Sequence, residues 1–243
     1  MHKILRNLQE IQQEIYLKNN DKNKLVKLIA VSKNFQMDKI KPLIENGHIH
    51  FGENKVQEAI NKWEIIKDQI KDLKLHMIGR LQKNKVKHAV RLFDYIHSLD
   101  NLKLAEKISL EQKKNSKNLK IFIQINIGNE EQKNGIQIEQ LENFYNICVK
   151  NLNLDIIGLM CIPPENQDVR PFFKKMKELN NNLGLKELSM GMSSDYLEAI
   201  EFGASFVRIG SKKQEIKEIP FSGFSRCNQT KNEIQQIRNN CKN

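Results

Sequence analysis

Eight short apolar, β-branched runs recur between Val26 and Gly210, and every gap between neighbouring runs is long enough for a helix. They are Val26–Ser32, His48–Gly52, Leu75–Gly79, Tyr95–Leu99, Leu119–Ile127, Leu154–Met160, Glu187–Gly191 and Ser205–Gly210. Parallel strands need crossovers of a dozen residues or more, whereas hairpins need two. The pattern therefore predicts an α/β fold of parallel strands, and eight of them point to a single closed (β/α)₈ barrel, a TIM barrel. An open doubly wound sheet is the alternative.

Helical periodicity fills the gaps. Ile4, Leu8, Ile11 and Ile15 make one stripe ahead of the first strand. Val56, Ala59, Ile60, Trp63 and Ile66 make a second, which places Trp63 in the core. Ile138, Leu141, Tyr145 and Cys148 continue the pattern, as do Val169, Phe172, Met176 and Leu179. The chain has 243 residues and no internal linker, so residues 1–211 are expected to form one barrel domain. Residues 212–243 are polar and are expected to be partly disordered or to close the barrel.

Composition narrows the class further. The net charge is +11, but the lysines are spread along the chain instead of gathering in one arm, so nucleic acid is not expected as a partner. Four cysteines with no C-x-x-C spacing argue against a disulfide scaffold and for a reducing compartment. The amino terminus carries charges throughout and lacks the apolar segment of a secretory signal. No run of about 18 apolar residues is present, so no membrane span is expected. These features predict a cytoplasmic protein.

In a barrel of this type chemistry gathers where strands end and loops begin, at the carboxyl face. The first strand ends AVSK, which puts Lys33 at the rim. Following the apolar run LIAV, Lys33 is expected to be partly desolvated, which favours the neutral amine that attacks an aldehyde. A solvated surface cation is the plainer reading. The second strand ends FGEN, with Glu53 and Asn54 at the rim. The seventh runs into SMGMSSD, where Gly191, Ser193 and Ser194 precede the helical stretch Asp195–Phe202. Small residues there suit a phosphate cradle, although capping the helix would also explain a serine. Gly210 and Ser211 form the complementary loop after the eighth strand. Arg208 lies two residues before Gly210, on the same strand face, and is expected to point into the barrel mouth. A structural ion pair is the alternative for Arg208. A lysine for an aldehyde, a phosphate cradle and an inward arginine together describe a pocket for pyridoxal 5′-phosphate (PLP).

The blocks AVSK (30–33), FGENKVQEA (51–59), HMIGRLQKNK (76–85), GLM (158–160), LSMGMSSD (188–195) and VRIGS (207–211) closely resemble the YggS/PLPBP family of PLP-binding proteins. The blocks run in family order over most of the chain. The resemblance implies a barrel similar to the N-terminal barrel of alanine racemase, the fold-type III PLP architecture. It makes Lys33 the Schiff-base lysine, gives Ser193, Gly210 and Ser211 to the phosphate and Arg208 to the pyridine nitrogen, and puts Asn54 beside the cofactor. It also implies a monomeric carrier or buffer of PLP in vitamin B6 and amino-acid homeostasis, without established catalysis, with apo PLP-enzymes as recipients. The sequence departs from the family pattern at Lys212, Lys213, Gln214 and Glu215, and at Arg80 and Lys83.

A protonated arginine leaves the ring nitrogen unprotonated, which makes the ring a weaker electron sink than one paired with a carboxylate. Racemisation also needs a second acid/base on the opposite face of the cofactor. No tyrosine or cysteine falls at an obvious strand end, and no room is expected for the extra domain that supplies this base in alanine racemases. A fold-type III PLP enzyme such as a racemase or dehydratase is therefore the second reading. A barrel that binds nucleic acid or another partner without the cofactor is the third. His48 and His50 share a strand face, with His76 on the next strand, but spacing fixes no third ligand and no metal is expected.

Overall fold

The computed structural model describes residues 3–210. Ser211 and the 212–243 segment lie outside the described residues. Eight parallel strands close into a barrel in sequence order: β1 (Lys27–Val31), β2 (His50–Glu53), β3 (Lys74–Met77), β4 (Tyr95–Leu99), β5 (Lys120–Ile125), β6 (Asp155–Cys161), β7 (Glu187–Met192) and β8 (Phe206–Ile209). Closure is made by β1 on β8, with Leu28 opposite Val207 and Ile29 opposite Arg208. That pairing decides for the closed barrel over the open sheet.

Helix α1 (Lys3–Lys18) precedes the barrel, and α2 (Met37–Glu45), α3 (Val56–Gln69), α4 (Val86–Leu92), α5 (Leu102–Asn115), α6 (Leu141–Asn146), α7 (Arg170–Asn182) and α8 (Tyr196–Glu201) cross between successive strands. The strands are buried on both faces, which is why they read as nearly continuous apolar runs. The expected stripes become buried faces: Leu8, Ile11 and Ile15 on α1, and Val56, Ala59 and Trp63 on α3. On α7 the buried side chains are Phe173, Met176 and Asn180, so the stripe expected through Phe172 and Leu179 lies at the margin of that face. The stretch around α6 is broken into a 3₁₀ turn (Ile138–Gln140), the helix itself and a π turn (Ile147–Asn151). A bond from the Leu152 N–H to the Ile147 carbonyl, 3.1 Å long, marks the wider turn.

Strand bounds shift by a residue or two from the sequence expectation, each for a local reason. β2 starts at His50 because His48 turns its ring back onto the His50 carbonyl at 2.9 Å. β3 stops at Met77, and Gly79 beyond it packs so closely on the chain that a Cβ would lie 2.4 Å from the Asn54 carbonyl oxygen. No helix among the described residues is long and apolar enough to cross a membrane.

The core has two parts. The larger lies between the strands and the helices, and Phe51 and the fully buried Trp63 belong to it, their rings 4.8 Å apart. The smaller fills the barrel interior with Ile29, Tyr95, Phe122, Met160 and Phe206. Burying each of those phenylalanines contributes about 1.5–3 kcal/mol. The same interior also holds polar side chains, and these lead up to the site.

Candidate functional site

The carboxyl ends of β7, β8, β1 and β2 are consecutive around the closed barrel. They carry, in that order, Ser193, then Arg208 and Gly210, then Lys33, then Asn54, so the expected site residues within 3–210 form one arc. Ser211 lies outside the described residues. Val31 pairs with Gly52 at the end of the β1–β2 ladder, and half-buried Asn54 follows β2 directly. Gly210 stands against β1: a Cβ there would meet the Val31 Cβ at 3.2 Å. Gly191 has a φ of +91°, and a Cβ would come 2.6 Å from the Ala199 Cβ, so only glycine lets this loop sit on α8.

Capping does not explain the serines. The N-cap of α8 is Asp195, whose carboxylate turns away from the helix and accepts the Met192 N–H at 2.6 Å. Ser193 is half-buried and Ser194 exposed on the loop ahead of it.

Arg208 is buried, and its side chain points into the barrel as the alternation along β8 requires. Nη1 donates to the Ser189 carbonyl at 2.9 Å and to Ser189 Oγ at 2.7 Å, and Nη2 donates to the Cys161 carbonyl at 3.0 Å. All three acceptors are neutral, so among the described residues the guanidinium is held by hydrogen bonds and not by an ion pair. These bonds use three of its five N–H groups. Burial pulls the Arg208 pKa down from its ordinary value, and neighbouring Cys161 and Asp195 act in the opposite direction. The delocalised guanidinium keeps its charge.

Lys33 differs from expectation in one respect. β1 ends at Val31, the apolar run stays below in the barrel wall, and Lys33 emerges exposed on a turn instead of partly desolvated. The turn itself is fixed. Ser32 is buried: its N–H donates to the Gly52 carbonyl at 2.9 Å and its Oγ to Glu53 Oε1 at 2.7 Å. Lys62 Nζ donates to the Ser32 carbonyl at 2.7 Å, and the Asn34 N–H donates to Glu58 Oε1 at 2.6 Å. Glu53 is not at the rim. It is fully buried on the outer face of β2, where Oε1 also accepts from Lys62 Nζ at 2.9 Å and Trp63 Nε1 at 2.8 Å. Ser32, Glu58 and Lys62 were not legible as part of the site, because their role depends on how α3 packs behind the turn. A cavity of about 110 Å³ lies behind β1, lined mainly by Leu8, Ile11, Leu28, Ile40, Leu43 and Phe51. It reaches the barrel rim at Ser32 and Gly210.

The histidines are joined to one another. His50 Nδ1 meets His76 Nε2 at 2.9 Å, His76 Nδ1 meets His97 Nε2 at 3.0 Å, and His97 Nδ1 meets Ser189 Oγ at 2.8 Å. His48 takes no part: its ring bonds to the His50 backbone and sits edge-on to Phe51. Burial lowers His76 and His97 well below the ordinary imidazole value, and lowers His50 to about 4. His97 was the residue missed; its signal is a histidine at the interior parity of YIHSL, two residues beyond Tyr95, the residue opposite His76.

Sequence and structure comparisons agree with this architecture. The family described as "Alanine racemase, N-terminal domain" matches residues 1–212, which defines the class of barrel. A pyridoxal phosphate homeostasis protein of Aquifex aeolicus is 42% identical, with 76% of this chain and 84% of the relative covered. One from Haemophilus influenzae is 34% identical, over 86% of this chain and 93% of its own. This chain belongs to the pyridoxal phosphate homeostasis protein family. Among solved structures, PipY of Synechococcus elongatus PCC7942 with PLP bound superposes with a TM-score of 0.71 at 34% identity, covering 77% of this chain and 91% of PipY. Alanine racemase of Clostridium difficile 630 shares the fold, with a TM-score of 0.64 at 17% identity over 85% of this chain and 56% of the racemase.

Proposed function

We propose that this protein holds PLP on Lys33 at the arc formed by β7, β8, β1 and β2, and serves as a carrier or buffer of the cofactor. The observation that carries the reading is the arc itself. It brings an accessible lysine on a clamped turn together with a buried arginine that keeps two N–H groups unspent among the described residues. The residues fit the group: Gly191 and Gly210 let their loops close against α8 and β1, beside the half-buried Ser193.

When bound, PLP supplies an aldehyde that captures amines and a pyridine ring that withdraws electrons. Lys33 Nζ provides the covalent attachment, and its exposure lets an incoming amine or a recipient protein reach it. Arg208 donates to the ring nitrogen and, being charged, keeps that nitrogen unprotonated. Ser193, Gly210 and Ser211 would take the phosphate through hydroxyl and backbone N–H groups, with Asn54 at the end of the neighbouring strand β2.

The groups available for a second acid/base favour the carrier over a racemase. Cys161, near Arg208, is fully buried and its thiol is pushed up to about 12. Tyr196 donates its hydroxyl to Glu14 on α1, and burial raises its pKa. Neither suits proton abstraction near neutral pH. The same reading has the protein act as a monomer in the cytoplasm and hand PLP to apo PLP-enzymes.

Absorbance titration with PLP tests the reading. Lys33→Ala should abolish the covalent species. Arg208→Ala should shift the spectrum and weaken binding at least tenfold, about 1.4 kcal/mol, while the attachment persists. Exchange of amino-acid α-protons by the loaded protein at enzymatic rates would overturn the carrier reading.

A further inference from the structure

We infer that His97, His76 and His50 form one line of Nε2–H tautomers that fixes Ser189 as the acceptor for Arg208 and thereby positions the guanidinium. The link to PLP rests on the cofactor reading above; the line itself does not.

The direction follows from what each group can do. Arginine only donates. Both hydrogens of Arg208 Nη1 go to Ser189, one to its carbonyl at 2.9 Å and one to Oγ at 2.7 Å. Among the described residues Ser189 Oγ has one other partner, His97 Nδ1 at 2.8 Å, and of the two only the imidazole nitrogen can accept. The hydroxyl hydrogen therefore points at His97 Nδ1, and His97 carries its proton on Nε2. That Nε2–H donates to His76 Nδ1 at 3.0 Å, and the His76 Nε2–H donates in turn to His50 Nδ1 at 2.9 Å. Reversing the line would point the His97 Nδ1–H at Ser189 and leave a buried hydroxyl facing two donors, at a cost of about 1–3 kcal/mol.

Ring flips cannot exchange the nitrogens freely. His76 stacks on Tyr95 with centroids 4.2 Å apart, and His97 stacks on Phe122 at 4.4 Å. Charging any member is also disfavoured, because an imidazolium donates from both nitrogens and breaks one link. The groups that face the line are mostly cationic. Arg208 of β8 acts on His97; Lys67 of α3 and Lys27 of β1 act on His76. His50 meets Lys27, Lys74 of β3, His48 and, as the one anion, Asp94. Ser189 is thus held in one orientation by a chain that crosses the barrel interior through β2, β3, β4 and β7. Arg208 in turn keeps the direction of its two unspent N–H groups.

The test begins on the cofactor-free protein with ¹⁵N-histidine NMR. His97, His76 and His50 should each show the Nε2–H tautomer, unchanged between about pH 8 and 5.5. Ser189→Ala should leave His97 in mixed tautomers. An Nδ1–H on His97 in the wild type, or an unaltered tautomer in Ser189→Ala, would overturn the proposal. The second arm uses PLP. His97→Phe should weaken PLP about tenfold and shift the bound absorbance maximum. His97→Asn, whose amide oxygen can stand where Nδ1 stood, should recover most of both. A folded His97→Phe protein with wild-type affinity and spectrum would overturn the positioning role. Should the wild type show the tautomers and bind no PLP, the cofactor reading would fail and the line would stand.

Discussion

Loss of Lys62 should destabilise this barrel strongly. Its ammonium group sits between Glu53 Oε1 at 2.9 Å, the Ser32 carbonyl at 2.7 Å and Glu58 Oε1 at 3.1 Å, with the Lys62 side chain 9% exposed. Glu58, at 27%, can recover its loss from water. Glu53, at 0%, cannot, and its Oε2 already lacks a hydrogen-bond partner. Lys62→Met therefore leaves a buried carboxylate with only Ser32 and Trp63 to satisfy it, a loss of about 3–5 kcal/mol. For a protein of this size that corresponds to a fall of roughly 6–20 °C in Tm. Adding Glu53→Gln removes the unpaired charge while the amide oxygen still accepts from Ser32 Oγ and Trp63 Nε1. The double variant should regain about 1.5–3 kcal/mol over Lys62→Met alone, a coupling of opposite sign to ordinary additive damage. Urea and thermal unfolding followed by circular dichroism measure all three variants. A cost below about 1 kcal/mol for Lys62→Met, or a double variant worse than the single, would refute the argument that this pair anchors the Lys33 turn.

The neutral histidines make stability pH-dependent. Their folded-state values lie below the ordinary 6.5, so the unfolded chain takes up protons first as pH falls. Their contribution is complete above about pH 6.5 and is lost downward towards the folded values, about 4 for His50, at about 1.4 kcal/mol per pH unit per histidine. Urea midpoints at pH 7, 6 and 5 should fall, and His97→Phe should flatten the slope by one proton. Gly191→Ala forces a side chain into a φ of +91° and against Ala199, so it should cost about 1–3 kcal/mol and weaken PLP, checked by thermal unfolding and absorbance titration.

What could be read from residues alone was set by short-range rules. The alternation along VRIG aimed Arg208 inward, and strand ends marked Lys33, Asn54, Ser193 and Gly210. What could not be read depended on boundaries and on neighbours distant in sequence. Ending β1 at Val31 instead of Ser32 is a shift of one residue, yet it turns Lys33 from a half-buried group into an exposed one. Glu53 reads as a rim residue until α3 is placed against it. The histidine line needs the relative depth of β2, β3, β4 and β7, which no single strand encodes. Asp195 rather than a serine takes the N-cap because the loop folds back on Met192 before α8 begins.

Borohydride reduction of the PLP-loaded protein, followed by peptide mapping by mass spectrometry, addresses the central claim most directly. One reduced pyridoxyl group on the peptide that contains Lys33, absent from Lys33→Ala, is the result expected from the arc at the barrel mouth. A reduced adduct on another lysine, or PLP retained without any reducible linkage, would contradict it.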